Sequence, residues 1–162
     1  MKLVAQNPNT ICIGYGPDWL YRKLDEYKIM YTKKRIFLKS FDKFTPTPLG
    51  ENIYVYKGLF GNRHEHYRWN EIVKPLQHVF GTDRIIYTQN ISLTELHEKY
   101  YNDCFVYIRP NPMGGGHAMF ELGHMGRRTI TNDHSEFSIC SGYDDIHHMI
   151  DLIMQESKKI GT

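Results

Sequence analysis

Cys104-Phe-Val-Tyr-Ile-Arg109, Met113-Gly-Gly-Gly-His-Ala-Met-Phe-Glu-Leu-Gly-His-Met-Gly126 and Arg128-Thr-Ile-Thr131 follow one another in this chain, and their order decides the fold. The first run is short, β-branched and aromatic, which reads as a buried strand. The second opens on three glycines and continues as a helix, and the third reads as another strand. Strand, glycine loop, helix and strand make a βαβ unit. Gly114, Gly115 and Gly116 let backbone N–H groups approach an anion closely, and the helix beginning there adds its positive end. One turn further in, Glu121 offers a carboxylate that is free to accept hydrogen bonds from a sugar's hydroxyls. A phosphate cradle followed by a hydroxyl-binding acid is the layout of a nucleotide site.

Working outward, the same alternation extends over most of the chain. Ile53-Tyr-Val-Tyr56 reads as a strand. A helix is expected from about Arg68 to Phe80, with Trp69, Ile72, Val73, Leu76 and Phe80 as its apolar stripe and Pro75 as a possible kink. Arg84-Ile-Ile-Tyr-Thr88 is the next strand, and Ser92-Leu-Thr-Glu95 has capping-box form, so a helix runs from there to about Tyr101. The last helix spans Asp144 to Ile160, with Ile146, Met149, Ile150, Ile153 and Met154 at helical spacing. Strands alternating with helices from residue 53 onward specify a parallel sheet with helices on both faces, a Rossmann-like α/β fold. Before it come a strand at Thr10 to Gly14, a helix from Pro17 carrying Trp19, Leu20, Leu24 and Tyr27, a strand at Ile36 to Leu38, and a proline-rich connector, Phe44-Thr-Pro-Thr-Pro-Leu-Gly50. At 162 residues the chain reads as one domain, with residues 1–45 leading into an alternating core over 53–162.

Composition narrows the function. Hydrophobic residues are 41% and charged residues 23%, an ordinary globular balance. The net charge is +2, and the densest basic cluster, Lys33-Lys34-Arg35, is what a solvated turn carries, so nucleic acid is not expected as a partner. No window of about eighteen apolar residues indicates a membrane span, and the first residues lack a secretory h-region. Cys12, Cys104 and Cys140 are odd in number and far apart, which fits a reduced, cytoplasmic protein. The twelve tyrosines read first as core residues of a β-rich interior, with an adhesive surface as the alternative.

The glycine loop matches neither G-x-G-x-x-G nor a phosphate loop ending in G-K-[ST], and a plain βα turn is its bland reading. Glu121 sits among Ala118, Phe120, Leu122 and Met125, an apolar setting in which acids tend to be paired or functional. His117, four residues earlier, is within reach of it on the same face. Lys57, Arg63 and Arg68 follow the strand at 53–56, where open α/β sheets bind ligands, and guanidinium suits a diphosphate. Nine histidines raise a metal site, but no pair combines with Cys or carboxylate at zinc spacing, and no Ser or Cys stands on a nucleophile elbow. No metal or cofactor is expected.

Together these residues resemble the C-terminal, donor-binding domain of GT-B glycosyltransferases, nearest the group that includes sucrose synthases and bacterial mannosyl- and glucosyltransferases. Trp19-Leu20 through Ile29, Ile36 to Pro46, Ile53 to Gly58, Phe105 to Pro110 and Met113 to Gly126 carry the resemblance. It implies that Glu121 binds the ribose hydroxyls of a nucleotide diphosphate sugar. It places Gly115 and Gly116 against the diphosphate, with Gly114, His117, Ala118, Arg109, Lys57, Arg63 and Arg68 completing the donor site. His117, Arg63 and Arg68 are the candidates for catalysis. Met113 stands where the family has the first acid of its paired-glutamate motif, which contacts the transferred sugar. The resemblance further implies transfer to a glycan, lipid or protein acceptor. Because it covers the donor half alone, it implies a homodimer, with contact through residues 1–45, or a separate acceptor-binding subunit.

Overall fold

The computed structural model describes residues 12–13, 18–32, 41–56, 69–87, 91–110, 116–132 and 138–162. The strand expected at Ile36 to Leu38, and most of the loop carrying Lys57, Arg63 and Arg68, lie outside these. Contacts divide the chain into two compact units, Met1–Ser40 and Phe41–Thr162.

The first unit is a small βαβ: strand β1 (Cys12–Ile13), helix α1 (Asp18–Glu26) and strand β2 (Tyr31–Thr32), with β1 and β2 parallel. Tyr21, Leu24 and Ile29 form its buried cluster. Lys28, at φ 51°, turns the chain between α1 and β2. Tyr27, expected on the buried stripe, is instead exposed.

The second unit is an α/β sandwich around a five-stranded, wholly parallel sheet. Its elements are β3 (Asn52–Val55), α2 (Trp69–Phe80), β4 (Ile85–Ile86), the single turn α3 (Leu93–Glu95), β5 (Cys104–Arg109), α4 (Gly116–His124), β6 (Arg128–Thr131), β7 (Cys140–Gly142) and α5 (Ile146–Ser157). α3 continues directly into a π-helical stretch, Leu96–Tyr101. The expected fold class, a Rossmann-like parallel sheet with helices on both faces, is what forms. The strands lie in the order β4-β3-β5-β6-β7. Numbered from β3, that is 2-1-3-4-5, the flavodoxin-like variant of the doubly wound sheet, whose order reverses between its first and third strands.

Side-chain alternation along the strands feeds two cores. Ile53 and Val55 of β3 face one side, with Ile108 of β5, Ile130 of β6, α2 (Ile72, Val73, Leu76) and α5 (Met149, Ile153). Tyr54 of β3 faces the other, with Tyr107, Phe44, Tyr101 of the π-helical stretch, and Met119, Leu122 and Met125 of and just beyond α4. The β3–β5 register slips once, Asn52 lying opposite Cys104 but Ile53 opposite Val106. This bulge puts the adjacent Phe105 and Val106 in the same core. α2 runs through Pro75 without a break. β2 and β7 do not figure among the strands expected from sequence. No helix among the described residues is long and apolar enough to cross a membrane.

At the amino ends of the strands sits Arg127, 1% exposed. Its guanidinium donates to the carbonyls of Cys104 (3.2 Å), Thr47 (3.0 Å), Pro48 (2.7 Å), Asn102 (3.4 Å) and Met125, and to Thr47 Oγ1 (2.6 Å). One side chain thus ties the connector at 47–48 to the start of β5 and the end of α4.

Candidate functional site

In an open α/β sheet the crevice for a ligand lies beyond the carboxyl ends of the two strands between which the order reverses. Here those strands are β3 and β5. Their register pairs Tyr54 with Tyr107 and Val55 with Ile108, so Tyr56 and Arg109 stand side by side at the carboxyl edge. The Tyr56 amide donates to the Ile108 carbonyl at 2.9 Å and fixes that edge. Arg109 is 6% exposed, a cation at the mouth of the crevice with its side chain drawn into the fold. Alternation puts it on the same side of the sheet as Tyr107.

α4 enters from above this edge, beginning at Gly116 and running back over the sheet. A Cβ added to Gly116 would meet nothing within 4 Å. His117 is exposed and Ala118 half-buried against the core that contains Tyr107. Gly114, Gly115, Met113, Lys57, Arg63 and Arg68 lie outside the described residues.

Glu121 departs from its expected surroundings. The carboxylate is not free: the residue is 3% exposed, and Oε2 accepts the Tyr101 hydroxyl at 2.8 Å. His97 Nε2 lies 3.6 Å from the same oxygen. His117 points to solvent while Glu121 points inward, and it is a tyrosine twenty residues upstream that holds the acid. The physical reason is the packing of α4 on the π-helical stretch. The helix face carrying Met119, Leu122 and Met125 is buried, and Glu121 lies within that interface, where a carboxylate needs donors.

Glu121 belongs to a continuous buried layer. Tyr107 and Tyr54 stack with ring centroids 5.4 Å apart, Tyr54 meets Tyr101 edge-on at 5.9 Å, Tyr101 meets His97 at 5.2 Å, and His97 meets Phe44 edge-on at 4.8 Å. Burial pushes the Tyr101 phenol far above its ordinary range, and the neighbouring Glu121 charge adds to it. Burial does the same to Tyr107, with Tyr54 reinforcing and Arg109 opposing. Both phenols are thereby held more firmly in their protonated form. Arg109 and Glu121 act on the Tyr107 phenol with opposite sign, the cation favouring its ionisation and the acid opposing it. A cleft of about 240 Å³ opens beside the far end of this layer, lined by Lys43, Phe44, Thr45, Thr47, His97, Glu98, Asn102 and Met125.

Sequence reasoning singled out Arg109 and Glu121, which the fold brings into one layer. It missed Tyr101, His97, Tyr54, Tyr56 and Tyr107. For Tyr54, Tyr56 and Tyr107 the signal was the alternation of tyrosine with aliphatic residues in Ile53–Tyr56 and around Tyr107, while Tyr101 and His97, outside the strands, carried none. Among the described residues no group of three or more His, Cys, Asp or Glu side chains gathers as a metal site, and His64 and His66 lie outside them. Compared with protein families, curated proteins and solved structures, the chain matches none.

Proposed function

We propose that this chain binds a nucleotide diphosphate sugar in the crevice at the carboxyl ends of β3 and β5 and transfers the sugar to a glycan, lipid or protein acceptor. The observation that carries the binding half is the strand order, which reverses between β3 and β5. At that point Arg109 supplies a cation and α4 begins at Gly116, where an added side chain would meet nothing within 4 Å. A diphosphate is the ligand chemistry such a pairing suits. The transfer half rests on the resemblance of Met113–Gly126 to a donor loop. Helix dipole and guanidinium can stabilise a leaving diphosphate electrostatically. A cytoplasmic setting, where nucleotide sugars are made, fits the widely spaced cysteines, and a homodimer or a complex with an acceptor-binding subunit is the proposed assembly.

A second reading, a nucleotide-binding module or donor subunit that performs no transfer, is favoured by Met113 in the place of the family's first acid. Isothermal titration with UDP, GDP and ADP tests the shared part. Saturable binding of at least one supports the site, and silence with all three overturns it. Turnover across a panel of nucleotide sugars then separates the readings, since a module binds and never releases nucleoside diphosphate. Light scattering reports whether the chain pairs with itself.

A further inference from the structure

β6 reads Arg128-Thr-Ile-Thr131, and alternation sends its two threonines to the face opposite Ile130. Both are 0% exposed, and neither Oγ1 finds a hydrogen-bond partner among the described residues. A buried hydroxyl left unbonded costs the fold free energy, and valine has nearly the same shape without that cost. A threonine kept in such a place calls for a reason beyond packing. Position supplies one for Thr131. β5 and β6 pair with Tyr107 opposite Thr129 and Arg109 opposite Thr131. Residues directly opposite on neighbouring strands point to the same side of the sheet, and the strands lie about 4.8 Å apart. Thr131 therefore stands beside Arg109 on the last rung of this pair, on the side of the sheet that carries Tyr107 and α4. Asn132, the next residue, is exposed, so Thr131 lies just inside the carboxyl edge. Thr129 shares its burial but sits two residues, about 6.6 Å, deeper.

We propose that Thr131 is a ligand-binding residue and forms, with Arg109, the seat for one phosphoryl group of the diphosphate: its hydroxyl donates to one phosphoryl oxygen while the Arg109 guanidinium pairs with another. This rests on the nucleotide-binding reading above and extends that site from β5 to β6. A phosphoryl group carries several oxygens on one centre, so two side chains one strand spacing apart can each meet one of them. The two contributions differ. The guanidinium attracts any anion to the edge, whereas the hydroxyl adds a directed bond that fixes how the phosphoryl group sits. In the free chain the fold bears the cost of keeping that hydroxyl unbonded, and the bond is completed by the ligand.

The test is a titration of the unaltered chain, Thr131→Val, Thr131→Ser and Thr129→Val with UDP, GDP, ADP and the matching nucleosides, beside thermal melts of the ligand-free proteins. Thr131→Val should weaken the diphosphate that binds best by about tenfold or more, the scale of one hydrogen bond to a charged group. Its melting temperature should stay level or rise, because no bond of the free chain is lost. Thr131→Ser keeps the hydroxyl and should recover most of the affinity, and Thr129→Val, the matched change one rung deeper, should leave it unaltered. Full affinity in Thr131→Val overturns the role of Thr131 and leaves the nucleotide site standing. An equal loss in Thr129→Val also overturns it, since that is what altered packing along β6 does. So does an equal loss for the nucleoside, which has no phosphoryl group, or serine binding as poorly as valine. A lower melting temperature in Thr131→Val, or its failure to fold, means that the hydroxyl is bonded in the free chain, and the proposal falls. No binding of any diphosphate by the unaltered chain overturns the site as a whole.

Discussion

Replacing Arg127 by methionine should be among the most damaging single changes to this fold. The side chain is 1% exposed, and its six acceptors are carbonyls and one hydroxyl rather than a carboxylate. Methionine keeps most of the apolar stem, so the effect isolates the guanidinium. Not every acceptor is orphaned by its loss. Cys104 O also accepts the Gly50 amide at 3.2 Å, and Met125 O accepts the Thr47 amide at 3.4 Å. Pro48 lies at the surface, where water replaces the lost donor. Asn102 is exposed as well, so the half-buried Thr47 carbonyl and hydroxyl bear most of the loss, at about 1–3 kcal/mol for each group left unmade. Against this stands relief from burying a cation, which already draws the arginine's pKa below its ordinary value. The net is about 2–4 kcal/mol out of a typical 5–15 kcal/mol. Arg127→Lys keeps the charge but cannot span three chain segments with a planar fork, so it should recover only part of this. Urea unfolding monitored by circular dichroism gives both values. A loss under about 0.5 kcal/mol for Arg127→Met, or full recovery by lysine, would refute the clamp.

Gly50→Ala should destabilise by about 2 kcal/mol or more, read from the same unfolding curves, because its Cβ would lie 2.1 Å from the main-chain carbon and oxygen of Asp103. Gly116→Ala should leave the melting temperature unchanged, as its Cβ meets open space, yet weaken nucleotide affinity if backbone there meets a diphosphate; equal affinity would move the anion elsewhere. Cys104 should resist alkylation in the folded chain and react only on unfolding, since burial raises its thiol to about 12 against the opposing pull of Arg127, whereas half-buried Cys140 should react first; peptide mapping after timed alkylation checks this. Asp145 caps α5 by accepting the His148 amide at 2.9 Å, and that bond lowers its carboxyl pKa. Its contribution is therefore full above about pH 3.9, the unfolded value, and is lost as pH falls through the lower folded value. Asp145→Asn should erase this step from a plot of urea midpoint against pH between about 5 and 2.

The alternating architecture was legible because apolar period and turn chemistry agree over long segments. Arg128–Thr131 is read to the residue, and the Ser92 cap forms as the capping-box spacing requires, its Oγ accepting the Glu95 amide at 3.1 Å. The strands that escaped notice, Tyr31–Thr32 and Cys140–Gly142, are two and three residues long, and Cys-Ser-Gly carries no apolar alternation. The π-helical form of Leu96–Tyr101 has no period of its own to read. Strand order was beyond reach for a different reason: alternation says that strands are parallel, not on which side of β3 the next one settles. The surroundings of Glu121 were hidden likewise. The acid itself stood out by chemistry, but its partners lie twenty and more residues upstream. Only the packing of the π-helical stretch on α4 brings them within reach. Arg127, between Gly126 and the strand at Arg128, belongs to no motif or period that would single it out in the sequence.

Placement of charge within the second unit separates what holds the fold from what can act. At the amino ends of the strands, Arg127 is saturated by carbonyls within the protein and has no donor to spare for a ligand. At the carboxyl ends, the same residue type closes β5 as Arg109, beside Tyr56. Between the two ends the layer of Tyr54, Tyr101 and Tyr107 admits polar atoms into the sheet–helix interface without leaving them bare, because each ring brings apolar surface along with its hydroxyl. That layer is the reason a carboxylate can sit 3% exposed on an otherwise apolar helix face. A purely aliphatic interface would have packed as tightly but would have driven an acid at position 121 out to solvent or into its neutral form. Phenols on this face are therefore the condition under which an acid is kept inside.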